Sequence, residues 1–280
     1  MKDVVALVTG GSRGIGRGIA LALLAEGATV HVTGRTRSEA EARVRGNRAG
    51  SLDGLELEAE KLPGRVVVHH CDHSNDAETE RVADEIRAGN RLDILVNNAW
   101  PGYENMVEDG EFTWPRPFWE QPIWRWDAMI DTALRAAFMM SRAVAPMMIS
   151  AQSGLIVNIS FWAAQLYEGN AIYGVAKAAA DKMAADFAHE LLPHNVAAVA
   201  LYPGLVRTEA VLQNAEYFDL SNSESPSFIG HVIAGLWRDP ALMSKSGQVL
   251  VAAELGREYD IADVGGYRPV PLTAADFAKS

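Results

Sequence analysis

The stretch Val4–Arg35, VVALVTGGSRGIGRGIALALLAEGATVHVTGR, decides the fold. It passes from an apolar, β-branched segment through a glycine-rich turn into an alanine- and leucine-rich segment of helical periodicity, then into a second β-branched segment. Strand, turn, helix and strand in this order form a βαβ unit. The helix carries the chain back to the starting edge, so the two strands lie parallel. The turn TGGSRGIG, Thr9–Gly16, suits an anion: Gly10, Gly14 and Gly16 permit a tight path, with Ser12, Arg13 and Ile15 between them. The helix that follows offers free N–H groups and the positive end of its dipole. Glycines alone are common in turns; their place between strand and helix gives these their meaning.

Outward from this unit the rhythm repeats. RVVVHHCD, LDILVNN, GLIVNIS, NVAAVALYP and GQVLVAAE are further short apolar runs, separated by helical or loop segments. Apolar runs without polar alternation mark strands covered on both faces. The expected architecture is α/β, a single doubly wound Rossmann-type domain over residues 1–280, with about seven parallel strands and helices on both faces. Two segments break the rhythm: Ala99–Pro122, rich in Trp, Phe, Tyr and Pro, and Gly204–Ser225, polar and weakly periodic. Both would follow carboxyl ends of strands, where ligands bind, and are expected as substrate loops. The alternative is two surface excursions, one tucking its aromatics into a subunit contact.

Composition narrows the function. With 280 residues, 49% hydrophobic and 22% charged, the chain can bury a sizeable core. A net charge of −11 argues against nucleic acid or an anionic membrane as partner, and no apolar run approaches the ~20 residues of a membrane helix. The one cysteine, Cys71, excludes an intramolecular disulfide, and no signal-peptide pattern opens the chain; a cytoplasmic protein is expected. Against this acidic background, every Lys or Arg from Arg13 to Arg48 is an arginine, seven in all.

The second strand ends VTGRTR, with Gly34 and Arg35 where NAD binders commonly place an acidic residue for the ribose hydroxyls. Arg35 can grip a 2′-phosphate, and Arg13 could face the same group, so NADP(H) is preferred over NAD(H). Otherwise these arginines are ordinary solvated surface. Further on, YGVAK places Tyr173 and Lys177 four residues apart, on one face of a helix. An adjacent ammonium favours the phenolate and is expected to lower the tyrosine pKa from ~10, so that the phenol exchanges a proton with a carbonyl oxygen. Tyr–Lys at this spacing also occurs on many exposed helices.

Taken in order, TGGSRGIG, NNA at Asn97–Ala99, YGVAK, and PGLVRT at Pro203–Thr208 resemble the short-chain dehydrogenase/reductase family, and these motifs span most of the chain. The resemblance implies that the glycine loop takes a pyrophosphate and Asp72 contacts adenine. It implies that Asn98 and Ala99 lie along the adenosine ribose, and that Val206 and Thr208 hold the nicotinamide carboxamide. Tyr173 is then the proton donor or acceptor, Lys177 binds the nicotinamide ribose, and a homodimer or homotetramer is expected. FWEQPIWRWDAMIDTALRAAF, YGVAKAAADKMAADFAHEL and SGQVLVAAELGREYDIADVGGYRP are similar to a mammalian subgroup described as NADPH-dependent carbonyl reductases.

Three positions depart from the family pattern. The second serine expected after GLIVNIS is Phe161, whereas counting back thirteen residues from Tyr173 gives Ser160. Ser160 is the candidate catalytic serine; the competing reading is a strand-end serine bonded to backbone. Ala133 replaces an asparagine that holds a water behind the lysine, and Trp100 replaces the glycine of NNAG, so its indole must turn toward the substrate loop or into packing. In HHCDH, His69, His70 and His73 alternate faces, which favours packing over metal binding. Gln165 and Tyr167 are expected along the substrate cleft. Five of the seven tryptophans fall between Trp100 and Trp126, which suits an apolar substrate and equally a buried subunit contact. The expectation is an NADP(H)-dependent oxidoreductase interconverting a carbonyl and a secondary alcohol. The rival is a catalytically idle NADP(H)-binding redox sensor.

Overall fold

The computed structural model describes residues 1–44 and 50–277; Arg45 and Arg48 of the arginine-rich segment, and the Arg43 side chain, lie outside the described residues. Seven parallel strands form the central sheet: β1 (Val5–Val8), β2 (Thr29–Gly34), β3 (Arg65–His70), β4 (Ile94–Asn97), β5 (Gly154–Ile159), β6 (Val196–Tyr202) and β7 (Val249–Val251). Their order across the sheet is β7-β6-β5-β4-β1-β2-β3. The chain moves outward from β1 to β3 and then returns to place β4 on the other side of β1. This reversal opens a crevice at the carboxyl ends of β1 and β4.

Successive strand residues serve opposite faces, which explains the unbroken apolar runs. Ala6, Val8, Ile94, Val96, Leu155 and Val157 join one core with α1 (Gly14–Ala25), through Ile19 and Leu23, and with a later helix, Pro226–Arg238, through Ile229, Val232 and Ile233. Leu7, Leu95, Ile156 and Ala198 join the opposite core, built with α2 (Asp76–Ala88), α3 (Arg135–Ala151) and α4 (Ala171–Leu191). Both faces are buried along the central strands, and exposed side chains fall on the edge strands, at Arg65, His70 and Val249.

The two irregular segments carry more order than the sequence suggests. Within 99–122 a small antiparallel ribbon pairs Val107–Glu108 with Glu111–Phe112. Within 204–225, Leu205–Val206 pairs in parallel with Ser223–Glu224, and a short helix covers Glu209–Gln213. Along WDAMIDTALRAAF the helix is not uniform: Asp127–Leu134 has the wider π-helical turn before α3 begins. No described helix is long and apolar enough to cross a membrane.

Candidate active site

The glycine loop is fixed from three sides. Below it, Gly10 N donates to Thr33 Oγ1 (3.1 Å), and Thr33 shares a hydrogen bond with His73 Nε2 (2.7 Å). Burial pushes His73 down to about 4, so it serves here as a neutral partner. On the β4 side, Asn98 Nδ2 donates to Thr9 O (2.9 Å) and Gly10 O (3.0 Å), while Asn98 N and Ala99 N donate to Thr9 Oγ1 (3.0 and 3.1 Å). Gly16 must lack a side chain: a Cβ there would stand 2.3 Å from Asn98 Nδ2 and 2.4 Å from Gly10 O. Gly14 has φ +57°, in the left-handed region that glycine accepts most readily. Its N–H donates to Glu209 Oε2 (2.9 Å). A carboxylate thus sits at the helix N-terminus, so the loop fits an anion there. Thr208, beside Gly14, caps the Glu209–Gln213 helix by accepting from Val211 N (3.3 Å), so PGLVRT and the glycine loop meet. Val206 is buried two residues earlier, at the end of its short strand. Ser12 is buried in the loop, and Ile15 packs on the core under α1.

At the outer edge the two predicted arginines diverge. Arg13 Nη2 donates to Thr36 Oγ1 (2.8 Å) and to Gly50 O (3.4 Å). Arg35 pairs with Glu104 of the 99–122 segment at 2.5 Å. Asp72, past the end of β3, accepts from Ser74 N (3.0 Å) and Ser74 Oγ (2.8 Å). The other histidines of HHCDH go separate ways: His69 bonds to Glu85 and His31, and His70 to Arg35 O.

Tyr173 and Lys177 come together on the first turns of α4, both buried. Asn170 caps this helix by accepting from Tyr173 N (3.0 Å), and its Nδ2 donates to Trp114 O (3.0 Å). One side chain therefore sets the start of the helix and ties the aromatic loop to it. Lys177 Nζ donates to Ile159 O (3.1 Å) and lies 4.0 Å from the centre of the Trp100 ring. Trp100, Tyr103 and Trp114 pack around Tyr173 at centroid distances of 5.7, 5.9 and 5.2 Å, and Tyr103 Oη donates to Tyr173 Oη at 2.9 Å. Trp100 thus turns toward both the loop and the Tyr–Lys pair, with its indole Nε1 buried and unpartnered.

This packing reverses the expected titration of Tyr173. Burial first, then the Tyr103 and Glu168 neighbourhood, pushes its phenol well above the ordinary value instead of below it. Burial also pushes Lys177 down to about 7, opposed by Asp181. With the aromatic loop in place, desolvation outweighs the ammonium's pull on the phenol. Ser160 is buried with Oγ donating to Lys177 O (3.3 Å), and it is the Phe161 ring, centroid 6.3 Å away, that faces Tyr173. Gln165 donates to the Tyr202 hydroxyl (3.4 Å), whereas Tyr167 is exposed.

A family model described as short chain dehydrogenase matches residues 4–217. The chain belongs to the short-chain dehydrogenase/reductase family. It is similar to dehydrogenase/reductase SDR family member 1 of Mus musculus, 39% identical over 285 aligned positions that cover 96% of this chain and 86% of that protein. Among solved structures, a metagenomic short-chain oxidoreductase in complex with NADP is similar with a TM-score of 0.67 at 31% identity, covering 89% of this chain and 96% of that one. A putative dehydrogenase from Xanthomonas campestris gives a TM-score of 0.79 over 97% of both chains; at 21% identity this likeness concerns the fold alone. As a short-chain dehydrogenase/reductase, the chain is an NAD(P)-dependent oxidoreductase.

Several partners of the site were not read from sequence. Asn170, three residues before Tyr173, carried the ordinary signal of a helix cap. Asp181, one turn beyond Lys177, shared its helix face. Tyr103, Glu104 and Glu209 carried no such signal, because their contacts depend on the path of the two loops.

Proposed function

We propose that this protein is an NADP(H)-dependent reductase that interconverts a carbonyl and a secondary alcohol. The observation that carries this reading is the convergence, at one end of the sheet, of an anion-accepting glycine loop and a buried Tyr173–Lys177 pair. Arg35, at the end of β2, supports NADP(H) over NAD(H), since its guanidinium already holds one anion, Glu104. Gly10, Ser12, Arg13, Gly14, Ile15 and Gly16 would line the pyrophosphate. Asp72, Asn98 and Ala99 would line the adenosine, and Val206 and Thr208 the carboxamide. NADPH, when bound, supplies the hydride for the carbonyl carbon.

Tyr173 gives its hydroxyl proton to the carbonyl oxygen, and Lys177 as an ammonium makes that loss easier. The Tyr103 hydroxyl stands where a substrate oxygen must stand to meet Tyr173, so the 99–122 segment is the element that yields to substrate. Ser160, whose hydroxyl is engaged by the Lys177 carbonyl, is assigned to steadying that turn of α4 and not to the substrate oxygen. We further propose that residues 1–280 form one domain, that segments 99–122 and 204–225 select the substrate, and that the chain assembles as a homodimer or homotetramer.

Phe161 facing Tyr173 favours a second reading, a protein that binds NADP(H) as a sensor without turnover. A fluorescence titration with NADPH, run beside a panel of apolar ketones and aldehydes, separates the two. Binding with oxidation of NADPH on any member supports the reductase; binding with none supports the sensor.

A further inference from the structure

We propose that Tyr103 is a further catalytic residue: its hydroxyl, together with that of Tyr173, holds the oxygen of the reacting carbonyl. This rests on the reductase reading above and names the second donor which that reading lacks. A carbonyl oxygen has two lone pairs, and a second donor counts most as negative charge builds on that oxygen in the transition state. The residues that follow β5 do not offer one. Ser160 Oγ is turned to Lys177 O, the next side chain is the Phe161 ring, Gln165 reaches the Tyr202 hydroxyl, and Tyr167 is exposed. Among the described residues, the hydroxyl bonded to Tyr173 Oη is that of Tyr103, at 2.9 Å.

The surroundings keep Tyr103 a donor and leave it room to move. Its ring packs against Trp100, Trp114 and Tyr173 at centroid distances of 5.8, 5.7 and 5.9 Å, which holds the hydroxyl at the phenol. Desolvation of that end pushes the Tyr103 hydroxyl up to about 12, so it keeps its proton at neutral pH. The residue as a whole is 49% exposed, so it can shift without opening a gap in the core. An oxygen accepting from both hydroxyls at ~2.7–2.8 Å would set them ~4.5–5 Å apart, so Tyr103 draws back by about 2 Å from its present contact. In the closed site Tyr103 holds the place of the substrate oxygen; once drawn back, it becomes that oxygen's partner. Hydride then goes to the carbonyl carbon, the π pair to the oxygen, and the Tyr173 proton to the same oxygen. Tyr103 keeps its own proton throughout and donates one hydrogen bond.

Tyr103→Phe is the test, because it keeps the ring and its packing and removes only the hydroxyl. With NADPH and a ketone that the protein reduces, kcat should fall about a hundredfold while KM for the ketone and NADPH affinity stay within about twofold. KM holds because the bond gained to a neutral ketone replaces the bond lost to Tyr173. A kcat that holds or rises, with or without a lower KM, overturns the proposal, since removing a mere plug only helps substrate to enter. A second measurement needs no turnover. An apolar sulfoxide presents a negatively polarised oxygen, takes no hydride, and is titrated calorimetrically into the NADPH complex. Its bond to Tyr103 outweighs the neutral bond given up to Tyr173, so Tyr103→Phe should weaken it about threefold or more. Equal sulfoxide affinity in the two proteins, or binding to neither, overturns the proposal. Weaker sulfoxide binding in a protein that reduces no carbonyl refutes the reductase reading and leaves Tyr103 standing as the oxygen's partner.

Discussion

Replacing Arg35 separates a phosphate grip from an ordinary surface arginine. In the described structure the guanidinium pairs with Glu104, with side chains 31% and 36% exposed, so that pair contributes at most ~1 kcal/mol. A charge-assisted bond from Arg35 to a 2′-phosphate is worth ~1.5–3 kcal/mol. Exchanging one partner for the other leaves a net gain of ~1–2 kcal/mol, or about tenfold in affinity. Arg35→Leu should therefore weaken NADPH about tenfold and leave NADH, which lacks the 2′-phosphate, within twofold. Glu104→Gln should act oppositely, tightening NADPH up to about fivefold by removing the competing carboxylate. Both are read from nicotinamide fluorescence titrations at low and moderate salt, with the NADPH effect smaller at higher salt. Equal losses for NADPH and NADH in Arg35→Leu would refute the assignment, as would a Glu104→Gln protein with an unaltered NADPH/NADH ratio.

Three further outcomes follow from the geometry. Tyr173→Phe should lower kcat about a hundredfold or more while NADPH affinity stays within twofold; retained turnover rules out Tyr173 as proton donor. Gly16→Ala places a Cβ against Asn98 Nδ2 and Gly10 O, and should cost ~1–3 kcal/mol in a denaturation experiment together with most of the cofactor affinity. Unchanged stability and binding would show that the loop has room to spare. Glu224, buried and accepting from Gly204 N (2.9 Å), is pushed up to about 7, mainly by burial. Its folded value lies above the ordinary 4.5, so its contribution is full below about 4.5 and is lost as pH rises through about 7. Glu224→Gln should flatten the fall in melting temperature between pH 5 and 8; an unchanged slope contradicts the buried-carboxyl assignment.

The sheet was legible because burial on both faces leaves unbroken apolar runs, and the cofactor end because a glycine loop between strand and helix has few other uses. YGVAK was legible as a site only beside the glycine loop and the other motifs, because Tyr and Lys at helical spacing also occur on many exposed helices. What surrounds these motifs was not. Tyr103 meets Tyr173 across 70 residues, Glu104 meets Arg35 across 69, and Glu209 meets Gly14 across 195. No periodicity encodes such contacts; they exist because two loops return over the same strand ends. The sign of the Tyr173 shift was misjudged for the same reason: the adjacent lysine is visible in sequence, whereas the aromatic wall that desolvates both is assembled from Trp100, Tyr103 and Trp114. The two counts that disagreed over Ser160 and Phe161 are explained by direction. The strand ends with Ser160 turned toward α4, and Phe161 carries the next side chain toward Tyr173.

The glycine loop is engaged by a carboxylate from the segment that begins after Pro203, and Arg35 by a carboxylate from the segment that begins after Asn98. Each irregular segment is thus moored to the nucleotide end of the crevice by one acidic side chain. On the proposed reading, a dinucleotide phosphate at Gly14 and a second at Arg35 would displace both carboxylates and free both segments from these moorings. Nucleotide should then add before carbonyl, an order that product-inhibition kinetics would check.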